Sequence, residues 1–135
     1  MKVFNFDFQV RGYELDSFGH VNNAVYVNYY EQARWVIMEH LGLLSYFKES
    51  GHFLVVVKAQ LKYIDELHLL EKGIVKTVFY TEGFFVIFKQ EIINKAGKKV
   101  NTATFKCLFV NKKREALDIP DILKNKNYDN HRQDR

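Results

Sequence analysis

One helix-like stretch dominates this sequence and limits what the chain can fold into. Between about Ala24 and Leu41, apolar residues recur at steps of three and four, and further apolar residues widen that surface to most sides of the predicted helix. Such a helix needs other elements to cover it, so we expect it to lie against a sheet. Asn22 or Asn23 is suited to be its N-cap, and Gly42 stands where a left-handed C-cap is expected.

Most of the remaining chain has the patterns of β-strands. The predicted strands cover residues 3–10, 53–64, 74–81, 84–94 and 99–111, with a short helix over 120–123. The sequence therefore predicts one α+β domain over residues 1–124, an antiparallel sheet of five or six strands wrapped around one long central helix. Residues 125–135 are polar and without periodicity, and we expect a frayed tail there.

The predicted sheet has open edges, because five strands cannot wrap this helix completely. An open edge exposes unpaired backbone N–H and C=O groups, which is a liability for a soluble chain. Pairing that edge with a second copy of the chain would satisfy these groups, so we expect a homodimer or a dimer of dimers.

Composition and charge narrow the class of protein. The net charge of +4 would suit nucleic acid or a phosphorylated ligand, but no nucleic-acid-binding motif accompanies it, so no nucleic-acid partner is expected. No apolar run approaches the roughly 20 residues needed to span a bilayer. The first residues are too polar for a signal peptide, and the single Cys107 cannot form an internal disulfide. These features favour a cytoplasmic protein.

The segment between the first strand and the helix holds the strongest candidate for chemistry. Asp16 lies in a predicted loop that continues through the Gly19-His20 turn to the start of the helix. This order places one carboxylate beside free backbone N–H groups and the positive dipole end of the helix, which can stabilise a developing oxyanion. Such a pair suits the hydrolysis of acyl groups. The alternative is that Asp16 only satisfies backbone donors of its own loop.

Other catalytic arrangements find no support in the sequence. It contains no GxSxG motif and no glycine-rich phosphate loop. Its five histidines are scattered without the spacing of metal ligands, so no metal site is expected. Cys107, which alternates with Phe105 and Phe109 in a predicted strand, is interpreted as a buried structural thiol. Glu31 and Arg34, three residues apart on the helix, are expected to form a local ion pair.

The residues around Asp16 are similar to those of a known family. The chain resembles the hotdog-fold acyl-CoA thioesterases, nearest the 4-hydroxybenzoyl-CoA thioesterase-like branch, in Arg11-Gly12-Tyr13, Asp16, Gly19-His20-Val21-Asn22-Asn23, Tyr26, Glu31 and Ala33-Arg34. The resemblance covers about residues 3–123 and is specific only between Val10 and Arg34. The chain departs from the family after Tyr63, where many relatives carry a proline-bearing loop and this sequence reads Ile64-Asp65-Glu66-Leu67-His68.

The resemblance implies roles for several residues. Asp16 would be the general base or nucleophile toward the thioester, and the backbone N–H of Asn23 would polarise the thioester carbonyl. The family also places its sites at a dimer interface, with coenzyme A along the surface and the acyl chain between subunits. Coenzyme A would then be part of the substrate, and no cofactor is expected.

Five further residues are candidates for substrate binding. His20, Asn22 and Tyr26 would shape the loop and the pocket, although Asn22 is mainly expected to cap the helix and Tyr26 can equally be core packing. Tyr13 could likewise either line the pocket or pack in the core. Lys58 shares one strand face with Lys62. Lys58 could contact a phosphate of coenzyme A, or this face could simply be exposed to solvent.

The sequence thus predicts an enzyme that hydrolyses a fatty-acyl or aryl-acyl coenzyme A to the free acid and coenzyme A. One alternative on the same fold is an acyl-thioester hydratase or dehydratase, in which Asp16 and His20 would act jointly as acid and base. A second alternative is a thioesterase whose substrate is carried by acyl carrier protein. The third is a non-catalytic acyl-binding protein.

Overall fold

One antiparallel sheet and one long helix form most of the structure, a computed structural model that describes residues 2–124. The elements are β1 (Phe4–Gln9), a short 3-10 helix (Gly12–Glu14), α1 (Val25–His40), α2 (Leu43–Ser50), β2 (Phe53–Tyr63), β3 (Lys72–Glu82), β4 (Phe85–Asn94), β5 (Lys99–Val110) and α3 (Asp121–Lys124). The α+β prediction is confirmed, and the predicted strands and main helix agree with these bounds to within about two residues. The expected tail over residues 125–135 lies outside the described residues.

The sheet contains five strands in the order β1-β3-β4-β5-β2, and every neighbouring pair is antiparallel. Helix α1 lies against one face of the sheet. Its buried side chains meet the inward side chains of the strands, as in the contact of Tyr30 with Phe105 at a ring-centre distance of 5.6 Å. No helix among residues 2–124 is long and apolar enough to cross a membrane. The architecture is therefore a five-stranded antiparallel sheet with the long helix packed against it, and β1 and β2 are its two edges.

Helix α2 was not predicted from the sequence. Gly42 adopts the expected left-handed conformation, with φ of 81°, but it both follows α1 and serves as the N-cap of α2. The new helix packs Tyr46 and Phe47 against Phe109 of β5, with ring-centre distances of 6.1 and 6.2 Å. At eight residues it is too short for its periodicity to stand out, and its stability comes from these tertiary contacts.

Strand β2 is exposed along much of its length, although it opens with an apolar run. Val56 and Val57 expose 47% and 50% of their surface, and the pairing register of β2 with β5 shifts between Val56 and Lys58. On the other side of β2 the sheet has no further strand within the described residues. This edge therefore presents both apolar side chains and open backbone groups.

A buried polar layer lies between α1 and the sheet, and it corrects one expectation. Arg34 is buried, its Nη1 donates to Oε1 of Gln90 at 2.9 Å, and its guanidinium lies 4.0 Å from the ring centre of Phe105. Glu31 is exposed, and among residues 2–124 it forms no salt bridge with Arg34, so the expected ion pair is wrong. Arg34 follows Tyr30 by one helical turn and therefore shares its sheet-facing side.

Candidate active site

The loop that carries Asp16 is closed by the carboxylate of Asp16 itself. Oδ1 of Asp16 accepts hydrogen bonds from the backbone N–H of Phe18 at 2.9 Å and of His20 at 3.2 Å. The backbone N–H of Asp16 donates to the carbonyl of His20 at 2.8 Å. Gly19 has φ of 81°, a conformation that most other residues resist, and this lets the chain reverse within four residues.

The two carboxylate oxygens of Asp16 are therefore in different situations. Oδ1 accepts hydrogen bonds from donors of its own loop, as in the alternative in which Asp16 only satisfies those donors. Oδ2 has no hydrogen bond to any atom of residues 2–124. The same side chain can thus hold the loop with one oxygen and offer the other to a ligand.

The start of helix α1 offers a free backbone donor next to this loop. The backbone N–H of Asn23 has no acceptor among the described residues, while its carbonyl accepts from the hydroxyl of Tyr63 at 3.0 Å. The N-cap position is Ala24 rather than Asn22 or Asn23, so that prediction is wrong by one to two residues. Asn22 nonetheless caps the turn before the helix, since its Oδ1 accepts from the N–H of Ala24 at 2.9 Å.

A pocket of about 220 Å³ joins these groups. It is lined by Asp16, His20, Val21, Asn23, Tyr26, Tyr63, Ile64, Asp65 and Glu66. The structure thus brings together four of the predicted site residues, namely Asp16, His20, Asn23 and Tyr26. Asn22 lies beside the pocket and acts on the helix start. A larger cavity of about 570 Å³ opens between the ends of β1, β3 and β4, and none of the predicted site residues lines it.

Two predicted substrate-binding residues lie outside this pocket in the single chain. Tyr13 is on the 3-10 helix with 79% of its surface exposed. Lys58 is exposed on β2, opposite Lys106 of β5 and five residues before Tyr63. At about 3.3 Å per residue along a strand, that spacing separates Lys58 from the pocket by roughly 16 Å. Neither residue is therefore positioned by its own chain to contact a ligand in the pocket.

Glu14 and Tyr29 support the site, and neither was predicted from the sequence to do so. Oε1 of the buried Glu14 accepts from the backbone N–H of Arg11 and from the hydroxyl of Tyr29, each at 2.7 Å. The Glu14 carbonyl accepts from the N–H of Asn22 at 2.9 Å, so this residue contacts both ends of the Asp16 loop. Burial, followed by the bond to Glu14, raises the pKa of Tyr29. Glu14 supplies only the carboxylate half of a capping box, because Arg11 has no side-chain acceptor, and no sequence motif therefore marked this contact.

Tyr26 anchors the segment that forms the other wall of the pocket. Its hydroxyl accepts from the backbone N–H of Leu67 at 3.3 Å, and the carbonyl of Leu67 accepts from the N–H of Val21 at 3.0 Å. Burial raises the pKa of Tyr26, which keeps its hydroxyl protonated. The residues on either side of Leu67 are consequently held against the Asp16 loop.

This wall brings His20 into a cluster that was not predicted from the sequence. Nε2 of His20 lies 3.1 Å from Oε2 of Glu66, and the rings of His20 and His68 are edge to face with centres 5.4 Å apart. His20 and His68 also form an isolated antiparallel backbone bridge. One donor atom from each of His20, Glu66 and His68 lies within 4.8 Å of the other two. Spacing along the chain gave no sign of this, because the bridge joins distant segments.

Comparisons with known proteins point to one family. A profile described as "Thioesterase-like superfamily" matches residues 10–126. The chain is 38% identical over 71 residues to the acyl-acyl carrier protein thioesterase ATL3 of Arabidopsis thaliana, covering 52% of this chain and 37% of that protein. It is 38% identical over 55 residues to the long-chain acyl-CoA thioesterase FadM of Escherichia coli, covering 41% of this chain and 42% of that protein. The chain thus matches less than half the length of each.

Solved structures share the fold. The probable thioesterase YbaW from Escherichia coli is 27% identical, with a TM-score of 0.78 over 84% of this chain and 88% of that one. The protein SAV2348 from Staphylococcus aureus, solved in complex with CoA, is 16% identical, with a TM-score of 0.84 over 91% of this chain and 80% of that one. These likenesses confirm the hotdog fold expected from the sequence.

Proposed function

The chain belongs to the thioesterase-like superfamily, and from this premise we propose that it hydrolyses the thioester bond of an acyl coenzyme A. The observation that carries the proposal is one pocket lined by both Asp16, with an unbonded Oδ2, and Asn23, with an unbonded backbone N–H. A base and an oxyanion donor on the same pocket are the two groups that acyl hydrolysis needs.

In the proposed reaction Asp16 acts through Oδ2. Oδ2 takes a proton from a water molecule while the water oxygen bonds to the thioester carbonyl carbon. The C–S bond then breaks, and the leaving thiolate takes the proton back from Oδ2. The same oxygen can instead attack the carbonyl carbon. The C–S bond then breaks, the thiolate leaves, and water hydrolyses the mixed anhydride that remains. In both routes the carbonyl oxygen accepts a hydrogen bond from the N–H of Asn23 and is stabilised by the positive end of the α1 dipole. One such donor contributes about 2.7–4 kcal/mol in other acyl-transfer enzymes.

The other candidate site residues are given roles according to their positions around the pocket. His20 lines the pocket and orders the Asp16 loop, while Asn22 fixes the start of α1 and Tyr26 holds the opposite wall. Asp65 and Glu66 make that wall acidic, which disfavours the phosphates of coenzyme A there and leaves the pocket to the thioester. The reaction needs no cofactor, because coenzyme A enters as part of the substrate.

We propose that the active form is a homodimer that uses the open edge of β2. Exposed apolar side chains on β2 (Val56 and Val57) and on α1 (Trp35 and Val36) support a second copy rather than water as their neighbour. Tyr13 and Lys58, which are outside the pocket of their own chain, would then be offered to substrate at the subunit interface. A monomer in sedimentation equilibrium at assay concentration would contradict this arrangement.

The chemistry of the cysteine bears on where the protein works. Cys107 is a free thiol buried in the core, and a reduced compartment such as the cytoplasm is the proposed location. Microscopy of the tagged protein in its native cell would test this location, and an extracellular signal would refute it.

The test is the release of free thiol from a panel of acyl coenzyme A thioesters, from short to long and including an aryl-acyl member. Asp16→Asn is the decisive variant, because its amide oxygen can still accept from the N–H groups of Phe18 and His20 while the carboxylate is gone. We expect it to fold like wild type and to lose turnover. Ser17→Ala, a change at an exposed neighbour, is the matched control and should keep full turnover. Turnover that survives in Asp16→Asn would mean that Asp16 only shapes its loop.

A second candidate substrate is an acyl group on acyl carrier protein. The similarity to ATL3, and to ATL2 with 32% identity over 100 residues, favours this alternative, since both proteins are named for that substrate. The same assay with acyl carrier protein thioesters distinguishes the two carriers. If neither class is cleaved, tight binding of acyl coenzyme A without turnover would support a binding protein.

The hydratase alternative has less structural support. It would require His20 to act with Asp16 on the acyl group, whereas Nε2 of His20 faces Glu66 at 3.1 Å. Hydration of a crotonyl thioester by the wild-type chain would restore this alternative.

A further inference from the structure

We propose that His20, Glu66 and His68 form a binding site for a divalent transition-metal ion of the Zn²⁺ type at the mouth of the pocket, and that the bound ion inhibits hydrolysis. The binding part is independent of the reaction. The inhibition part rests on the proposed function, because it assumes that thioesters enter this pocket.

The first support is distance. Zn²⁺ binds imidazole nitrogen and carboxylate oxygen at about 2.0–2.2 Å, so two ligands in a tetrahedral site are roughly 3.4 Å apart. Nε2 of His20 and Oε2 of Glu66 are 3.1 Å apart, and the donor atom of His68 is within 4.8 Å of both. Closing the site therefore needs a movement of roughly 1.5 Å at one side chain. His68 and Glu66 are exposed and His20 is half-buried, so rotation of these side chains is available.

The second support is the chemistry of the donors. Two imidazoles and one carboxylate form the protein ligand set of open zinc sites, in which water occupies the fourth position. Mg²⁺ and Ca²⁺ prefer oxygen ligands, so the two histidines select against them. Glu71 adds a further carboxylate beside the cluster, with its Oε1 at 3.4 Å from Nδ1 of His68 and accepting from the backbone N–H of the same residue at 3.0 Å. Such outer carboxylates orient metal-ligating histidines.

The third support is a backbone that holds the ligands in place. His20 and His68 are paired in an antiparallel bridge, and the adjacent Val21 donates to the carbonyl of Leu67. The three ligands thus project from two segments fixed to each other before any metal binds, which lowers the entropic cost of assembling the site. Glu66 and His68 come from the segment where the chain departs from the proline-bearing loop of the family it resembles.

Position explains why the bound ion would inhibit. His20 and Glu66 line the same pocket as Asp16. A bound ion and its water would occupy part of a pocket of only about 220 Å³ and would tie the Asp16 loop to the opposite wall. The substrate would then meet a narrower entrance, so the ion should compete with it.

The binding test uses the full untagged chain after removal of metal with a chelator. Titration calorimetry with Zn²⁺ should give one ion per chain, and Co²⁺ in the same site should give a visible absorption band. His68→Ala and Glu66→Gln should each weaken Zn²⁺ binding by about tenfold or more. The matched control is His40→Ala, which removes an exposed histidine at the far end of α1 and should bind like wild type. Circular dichroism of each variant verifies folding.

The inhibition test adds Zn²⁺ to the thioester assay. His68 does not line the pocket, so His68→Ala should hydrolyse substrate at the wild-type rate and resist Zn²⁺ concentrations that inhibit wild type. Absence of Zn²⁺ binding, or binding that persists in both variants, would overturn the site. Binding without inhibition of an active wild type would overturn the inhibition. Binding to a chain that cleaves no thioester would support the site and refute the proposed function.

Discussion

The hydrogen bond between Tyr29 and Glu14 should be a measurable source of stability. Both residues are buried, with 5% and 7% of their surfaces exposed, and the Tyr29 hydroxyl donates to Oε1 of Glu14 at 2.7 Å. Tyr29→Phe removes that donor and leaves the ring in place, so the stacking of the ring on Phe8 at a centre distance of 4.2 Å is retained. The change therefore isolates one buried hydrogen bond to a carboxylate.

The expected cost follows from the charge on the acceptor. Hydrogen bonds to ionised groups contribute about 1.5–3 kcal/mol, against about 0.5–1.5 kcal/mol for neutral pairs. For a domain of this size, 1 kcal/mol corresponds to roughly 3–5 °C in Tm, so Tyr29→Phe should lower Tm by about 5–15 °C. Glu14 also accepts from Arg11, which limits the loss because the carboxylate is not left without a donor.

Urea denaturation of the variant gives the free energy of unfolding directly. Tyr46→Phe is the matched control, because the hydroxyl of Tyr46 pairs at 2.8 Å with Nδ1 of His52 in a part-buried setting, and it should cost less. Combining Tyr29→Phe with Glu14→Ala, which removes the acceptor, closes a double-mutant cycle in which a coupling energy above about 1 kcal/mol is expected. A cost for Tyr29→Phe no larger than that for Tyr46→Phe, with no coupling, would refute this reasoning.

Two further predictions concern the core. Gln90→Leu removes the acceptor of the buried Arg34 guanidinium and should lower the free energy of unfolding, measured in urea, by about 3 kcal/mol or more. Arg34→Met in that background should recover stability, because the buried cation is then removed as well. A loss below about 1 kcal/mol for Gln90→Leu would contradict this reasoning. Burial raises the pKa of the Cys107 thiol to about 11. The folded protein therefore keeps the thiol neutral below that pH, gains stability from it below the pKa of the unfolded thiol, and loses that gain as pH rises through about 11. Iodoacetamide at about pH 8 should accordingly label Cys107 in urea and not in the native protein, and equal labelling rates would count against the buried thiol.

Periodicity was enough to predict the main helix and the strands. Helix α1 is long, so its apolar steps are repeated over several turns, and the strands are bounded by turn-forming glycines such as Gly83 and Gly97. The Asp16 loop could also be predicted, because a carboxylate, a glycine turn and a helix start are adjacent in sequence. These are local signals, and each was expressed within a short window of the chain.

The remaining features depend on contacts between distant segments. Helix α2 is too short to be distinguished by pattern and is held by Phe109. The direction of Arg34 is set by Gln90 on β4, and the cluster of His20 with His68 is set by a backbone bridge. None of these partners is near in sequence, so no window of residues could have signalled them.

The hydrogen bond from Tyr63 to the carbonyl of Asn23 has a consequence for enzymology. Tyr63 ends the open edge strand β2, and Asn23 carries the proposed oxyanion donor. If two copies pair along β2, association fixes Tyr63 and thereby orients the peptide unit next to the donor. Turnover per chain would then depend on protein concentration, and dilution below the dissociation constant of the dimer would lower the specific activity of a fully folded sample.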